Sequence, residues 1–132
     1  MTKLELYSVT VSNKPGKGAR LLAAFKEAGV NFIGVWGYPV GKSKSRIDLV
    51  AEDPVLLKKI AKKLEIDLGK KETVFHVSGE DRLGAVAEIL EKLAEKDINI
   101  YAAQALCAGE KRFGLLIQVD PESVKKAAKV LA

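Results

Sequence analysis

Asp53-Pro54-Val55-Leu56-Leu57-Lys58-Lys59-Ile60-Ala61-Lys62-Lys63-Leu64 and Asp120-Pro121-Glu122-Ser123-Val124-Lys125-Lys126-Ala127-Ala128-Lys129-Val130-Leu131 match at seven of twelve positions, 67 residues apart. Toward the N-terminus a shift of 68 sets Leu6, Tyr7 and Val9 on Val74, Phe75 and Val77. The same shift sets Lys14-Pro15-Gly16 on Arg82-Leu83-Gly84 and Val30-Asn31-Phe32 on Ile98-Asn99-Ile100. One residue lost in the second hairpin would account for the change of shift. Self-similarity at one period marks an internal repeat. The 132-residue chain therefore reads as two copies, residues 1–68 and 69–132.

Each copy has the same local pattern. Residues 5–11 and 73–77 are short runs of β-branched and aromatic residues, as strands are. Leu21, Leu22, Phe25 and Ala28, and likewise Val86, Ile89, Leu90 and Leu93, recur at helical spacing. Gly29 and Asp97 end these helices. Residues 30–38 and 98–106 read as second strands and residues 45–51 and 112–119 as third strands, with Gly41 and Gly109 in the hairpins. Pro54 and Pro121 suit a helix start behind the candidate caps Asp53 and Asp120. The helices that follow carry apolar stripes, Leu57, Ile60, Ala61, Leu64 and Val124, Ala127, Ala128, Leu131. The order predicts an α+β fold: two ferredoxin-like βαββα(β) units in tandem, antiparallel sheets with helices on one face. Residues 65–72 leave room for a short fourth strand at Ile66–Leu68; the second unit, with Ala132 directly after its last helix, lacks one.

Composition narrows the chemistry. Hydrophobic residues at 48% and charged residues at 30% are those of a folded globular chain. No segment reaches the roughly 18 apolar residues that cross a bilayer, and Met1–Leu6 has no apolar leader, so a cytoplasmic location is expected and a membrane partner is not. Cys107 is the only cysteine and His76 the only histidine, which argues against a disulfide within the chain and a Cys/His metal site. No cofactor is expected. No acid–base pair recurs in one predicted pocket; His76 reads as a surface or interface strand residue and Cys107 as a bystander, so an enzyme is not expected.

The turns Asn13-Lys14-Pro15-Gly16 and Asp81-Arg82-Leu83-Gly84 join a strand to an amphipathic helix. A helix start offers unpartnered N–H groups and the positive end of the helix dipole to a carboxylate, and glycine lets a ligand approach the backbone. Asn13 or Asp81 could cap the helix or accept a hydrogen bond from an ammonium. The same features also serve strand-to-helix connections that bind nothing.

Asn13-Lys14-Pro15-Gly16, the helix, and then Gly29-Val30-Asn31-Phe32 resemble the ACT-domain pattern of Asp-x-Pro-Gly, a helix, and Gly-hydrophobic-Asn-hydrophobic. Asp81-Arg82-Leu83-Gly84 through Asp97-Ile98-Asn99-Ile100 is similar to it, and the resemblance covers residues 5–131. ACT domains are regulatory modules that bind free amino acids, and the tandem layout is similar to stand-alone double-ACT proteins. In that family units pair through their second strands, and the ligand lies between the first turn of one unit and the second strand of its partner. The resemblance implies ligand-binding roles for Asn13, Pro15, Gly16 and Asn31 in one copy, and Asp81, Leu83, Gly84 and Asn99 in the other. It also implies a homodimer with allosteric function and a regulated protein partner. Asn13 stands in place of the usual acid and Leu83 in place of the usual proline, so the two copies are expected to differ in affinity or one of them to be empty.

Two other readings compete. A protein-interaction or adaptor module would use the same strand edges, where Trp36 and Tyr38 are expected to pack an interface. An RNA-binding ferredoxin-like protein is suggested by the net charge of +5 and by Lys111-Arg112-Phe113-Gly114-Leu115, which partly resembles an RNA-recognition signature. Leu115 replaces its second aromatic, and Phe75 and Phe113 read as core or interface residues. The lysines at positions 58, 59, 62, 63, 125, 126 and 129 lie off the apolar stripes, as solvated faces do. Nucleic acid is therefore not the expected partner. Gly37-Tyr38-Pro39-Val40-Gly41-Lys42-Ser43 has three residues between its glycines where a phosphate loop needs four, and Leu21 stands where a dinucleotide fingerprint needs glycine.

Overall fold

The computed structural model describes residues 1–132. Its elements run β1 (Thr2–Ser12), α1 (Lys17–Glu27), β2 (Phe32–Val40), β3 (Lys44–Ala51), α2 (Pro54–Lys63), β4 (Glu72–Glu80), α3 (Ala85–Glu95), β5 (Ile100–Cys107), β6 (Arg112–Val119), a 3-10 turn (Pro121–Ser123) and α4 (Val124–Leu131). The fold is α+β, a βαββα unit repeated in tandem. One compact unit comprises Glu5–Glu72; the other comprises Thr73–Ala132 together with Met1–Leu4. No helix is long and apolar enough to cross a membrane.

In the first unit the strand order is β2-β3-β1, all antiparallel. Alternation along β3 sends Ile47, Leu49 and Ala51 toward the helices, where they join Tyr7, Val9, Leu21, Phe25, Leu57 and Ala61 in one buried cluster. Phe25 meets Phe32 edge-on, ring centroids 5.7 Å apart. The Asp53 carboxylate caps α2, accepting from the N–H groups of Val55 and Leu56 at 3.1 Å. The other face of β3 carries Arg46 and Asp48. Asp48 is 2% exposed, with its Oδ1 accepting from Arg46 Nε at 2.8 Å. Arg46 Nη2 also donates to Glu72 at 2.7 Å. Burial opposes the charge on Arg46, but the hydrogen bonds and charges of Asp48 and Glu72 outweigh it and push its pKa up.

In the second unit the order is β4-β6-β5, again antiparallel. Phe75, Leu93, Ile98, Phe113, Leu115, Ile117, Val119 and Ala127 form its buried cluster on the helix face. Both first helices end in a left-handed residue, Gly29 at φ 78° and Asp97 at φ 56°. The next N–H reaches back to the same place in each, Val30 to Phe25 O and Ile98 to Leu93 O, both 3.0 Å.

Three expectations are corrected. Residues 66–71 form no strand: Ile66 and Leu68 pack against the first cluster, and the Gly69 N–H donates to Ser8 O at 2.7 Å. The hairpins lose no residue, because Tyr7↔Leu49, Pro39↔Ser45 and Phe32↔Ala51 in one unit map onto Phe75↔Ile117, Cys107↔Phe113 and Ile100↔Val119 in the other at a constant shift of 68. The missing residue is the counterpart of Glu52, between third strand and second helix. Asp120 consequently makes no side-chain cap, and the 3-10 turn Pro121–Ser123 leads into α4 instead.

Candidate functional site

In the first unit an open cleft of about 340 Å³ lies where β1 runs into the turn before α1 and meets the β2–β3 end of the sheet. Val11 and Ile47 supply apolar wall, Ser12, Asn13, Tyr38 and Ser45 supply polar groups, and Lys14 and Lys17 supply positive charge. Room comes from side chains that are small or missing. A Cβ at Gly18 would lie 3.4 Å from Ile47 Cδ1, and one at Gly37 3.5 Å from Arg46 O.

The turn is held by backbone bonds, so its side chains have fixed origins. Asn13 N–H donates to Ser43 O at 2.9 Å and Lys14 N–H to Ser12 O at 2.8 Å. Asn13 Oδ1 accepts from the Ser45 hydroxyl at 3.0 Å. Gly16, at φ 87°, is the residue before α1, and no side chain caps that helix. The first-turn N–H groups therefore stand without a side-chain acceptor. Asn13 and Asp81 do not take the capping role the sequence allowed them; Gly16 and Gly84 occupy that position, both left-handed.

The second copy has the same backbone and a different filling. Gly18, Gly37 and Ser45 are matched by Val86, Ala105 and Phe113, and Val11 is matched by Gly79. Phe113 is 6% exposed, and its ring lies so close over Gly79 that a Cβ there would fall 2.9 Å from Cε1. The space that is open in the first copy is thus occupied by a core aromatic. Arg82 Nη1 donates to Glu88 Oε1 at 2.8 Å, with a second bond from Nη2 to Oε2. That bond holds the Glu88 carboxyl below its usual range. The Asp81 carboxylate, as a hydrogen-bond acceptor and as a charge, pushes the pKa of the exposed Cys107 thiol up.

Of the residues the motif singled out, Asn13 lines the cleft, and Pro15 and Gly16 form the exposed turn beside it. Asn31 is elsewhere: its Nδ2 donates to Glu52 Oε2 at 2.8 Å, at the far end of β3 from Ser45. Seven residues of strand separate the two ends, about 23 Å. Asp81 and Gly84 lie on the second turn, where the Leu83 side chain is fully exposed, and Asn99 is exposed at the start of β5. The motif did not mark Lys17, Gly18, Gly37, Tyr38 and Ser45, which make the cleft. Phe75 and Phe113 are core residues and offer no face to a nucleotide base.

No family model and no curated protein sequence matches this chain. Solved structures do. The protein BT0572 from Bacteroides thetaiotaomicron superposes with a TM-score of 0.85 at 17% identity, over 98% of this chain and 86% of that one. The regulatory subunit of aspartate kinase from Thermus thermophilus superposes with a TM-score of 0.63 at 16% identity, over 98% and 89%. The aspartokinase alpha and beta subunits give 0.59 at 22% identity, over 98% and 89%. These likenesses define the class: a tandem βαββα protein with the fold of kinase regulatory subunits. The chain has the fold of an ACT-type domain protein.

Proposed function

We propose that the chain is a non-catalytic regulatory protein that binds a free amino acid in the cleft of its first copy. The observation that carries this reading is the cleft itself, in which uncapped helix N–H groups, the Asn13 amide and the hydroxyls of Ser12, Tyr38 and Ser45 surround a small apolar-walled space. An amino acid needs an anion site, a hydrogen-bond acceptor for its ammonium and a pocket for its side chain. The turn offers the first to its carboxylate and Asn13 Oδ1 offers the second. The regulatory proteins among the structural neighbours support a regulatory role here. In this reading the second copy, filled by Phe113 and closed by Arg82–Glu88, is the weaker site.

Pairing of two chains along β2 belongs to the same reading. Antiparallel pairing of identical strands sets the start of one beside the end of the other. Asn31 of the partner subunit would then come to the Asn13 end of the first chain, which its distant place in its own unit does not allow. Neither β2 nor β5 carries a charged residue, and Ile33, Val35, Tyr38, Val40, Tyr101 and Leu106 are exposed on them, which suits edges covered by a partner. A cytoplasmic location and a regulated protein partner complete the proposal.

Thermal melts against the free amino acids test it. At a hundredfold excess over Kd, a ligand that binds only the folded chain adds about 2.7 kcal/mol, or roughly 10 °C at this length. The double variant Val11→Gly/Ser45→Phe, which copies the filling of the second unit, should abolish the shift while the chain still folds. Melts that no amino acid moves would leave the adaptor reading in its place.

A further inference from the structure

The cleft holds a charge that a neutral amino acid does not match. Lys14 and Lys17 line it and no Asp or Glu does. Arg20 Nη2 lies 4.0 Å from the place a Gly16 Cβ would occupy, adding a third cation to the turn. The ion pairs of the chain involve Arg46, Lys71 and Arg82 and leave these three residues out. The second copy reverses the pattern. Its counterparts are Arg82, Ala85 and Glu88, and Asp81 replaces Asn13, so these positions carry one cation and two carboxylates, and the cation is paired with Glu88. Common ancestry of the two turns makes the first one's charge a property of that copy and not of the fold.

We infer that the first-copy cleft selects an α-amino acid whose side chain carries a second carboxylate. This rests on the amino-acid reading above and adds the ligand class. A neutral zwitterion brings one carboxylate and one ammonium, so its net charge gains nothing from the surrounding cations. An acidic side chain brings a second negative charge to Lys14 and Lys17 within a cleft of about 340 Å³. Each such pair at a half-exposed site contributes modestly, and two of them favour the acid over its amide by about tenfold. Salt screening should erode the preference.

Isothermal titration of the full chain at low ionic strength compares L-aspartate and L-glutamate with L-asparagine, L-glutamine and L-leucine. The inference expects an acid to bind about tenfold more tightly than its amide, with the gap closing as salt is raised. Lys14→Gln/Lys17→Gln should equalise acid and amide. The control Lys58→Gln/Lys59→Gln, on the exposed face of α2, should leave the gap intact. Amides or leucine binding as tightly as the acids would overturn the charge selection and leave amino-acid binding standing. Binding of none of the five, together with no thermal shift from any other amino acid, would overturn both. A preference that survives the Lys14/Lys17 change would also overturn the assignment to this cleft.

Discussion

Asp97 occupies the left-handed position that Gly29 fills in the first copy, at φ 56° against φ 78°. A Cβ in that region is strained, and a carboxylate at a helix C-terminus faces the negative end of the dipole. Asp97→Gly should therefore stabilise the chain by about 0.5 kcal/mol, part of the relief being lost to backbone entropy. Thermal unfolding checks this as a rise of roughly 2 °C. Cys107 makes a second residue-scale case. The hydrogen bond to Asp81 is the first cause of its raised pKa, so at pH 8 it carries less thiolate than an ordinary cysteine. Asp81→Asn should lower that pKa and speed iodoacetamide alkylation of the folded chain. An unchanged rate would show that the contact does not govern the thiol. Acidification acts on the same turn through Glu88. Its depressed pKa means that the Arg82–Glu88 grip is present above the ordinary carboxylate pKa and is lost as pH falls through the lowered one.

Among the elements, β3 bears the most unequal faces. Its helix side is apolar, while its other side holds Asp48, nearly buried, against Arg46. Removing one partner of a buried pair strands the other charge. Arg46→Ala should cost roughly 3 kcal/mol by denaturant unfolding, and Arg46→Ala/Asp48→Ala should cost less than the single change. The six strands that form, the first helices and their Gly29 and Asp97 stops were legible in the sequence because each depends on local periodicity and turn chemistry. The change from β3 to α2 was not. An alignment by composition moves a one-residue loss freely between neighbouring loops, whereas strand register fixes it at Glu52. The cleft was half legible: Asn13 and the turn are a contiguous motif, but Gly18, Gly37 and Ser45 are three distant residues whose smallness matters only once pairing brings them together. The filling by Phe113 was hidden for the same reason, since it requires Gly79 directly across the ladder.

At the scale of the whole molecule, the lysines and the apolar edges are segregated. Lys58, Lys59, Lys62, Lys63, Lys125, Lys126 and Lys129 are exposed on helices, while β2 and β5 present uncharged backbone edges. Charge of this kind keeps a chain soluble, and bare edges invite strand addition, so the two features together favour controlled pairing over aggregation. Under the proposed amino-acid binding, the Phe113 ring over Gly79 also sets a limit on dose–response behaviour. If each copy kept an open cleft, a pair of chains would present four equivalent sites. With one copy filled it presents two, and the Hill coefficient of its response to ligand cannot exceed about two. On the proposed reading, duplication has then produced a graded sensor with a built-in scaffold, not a steeper switch.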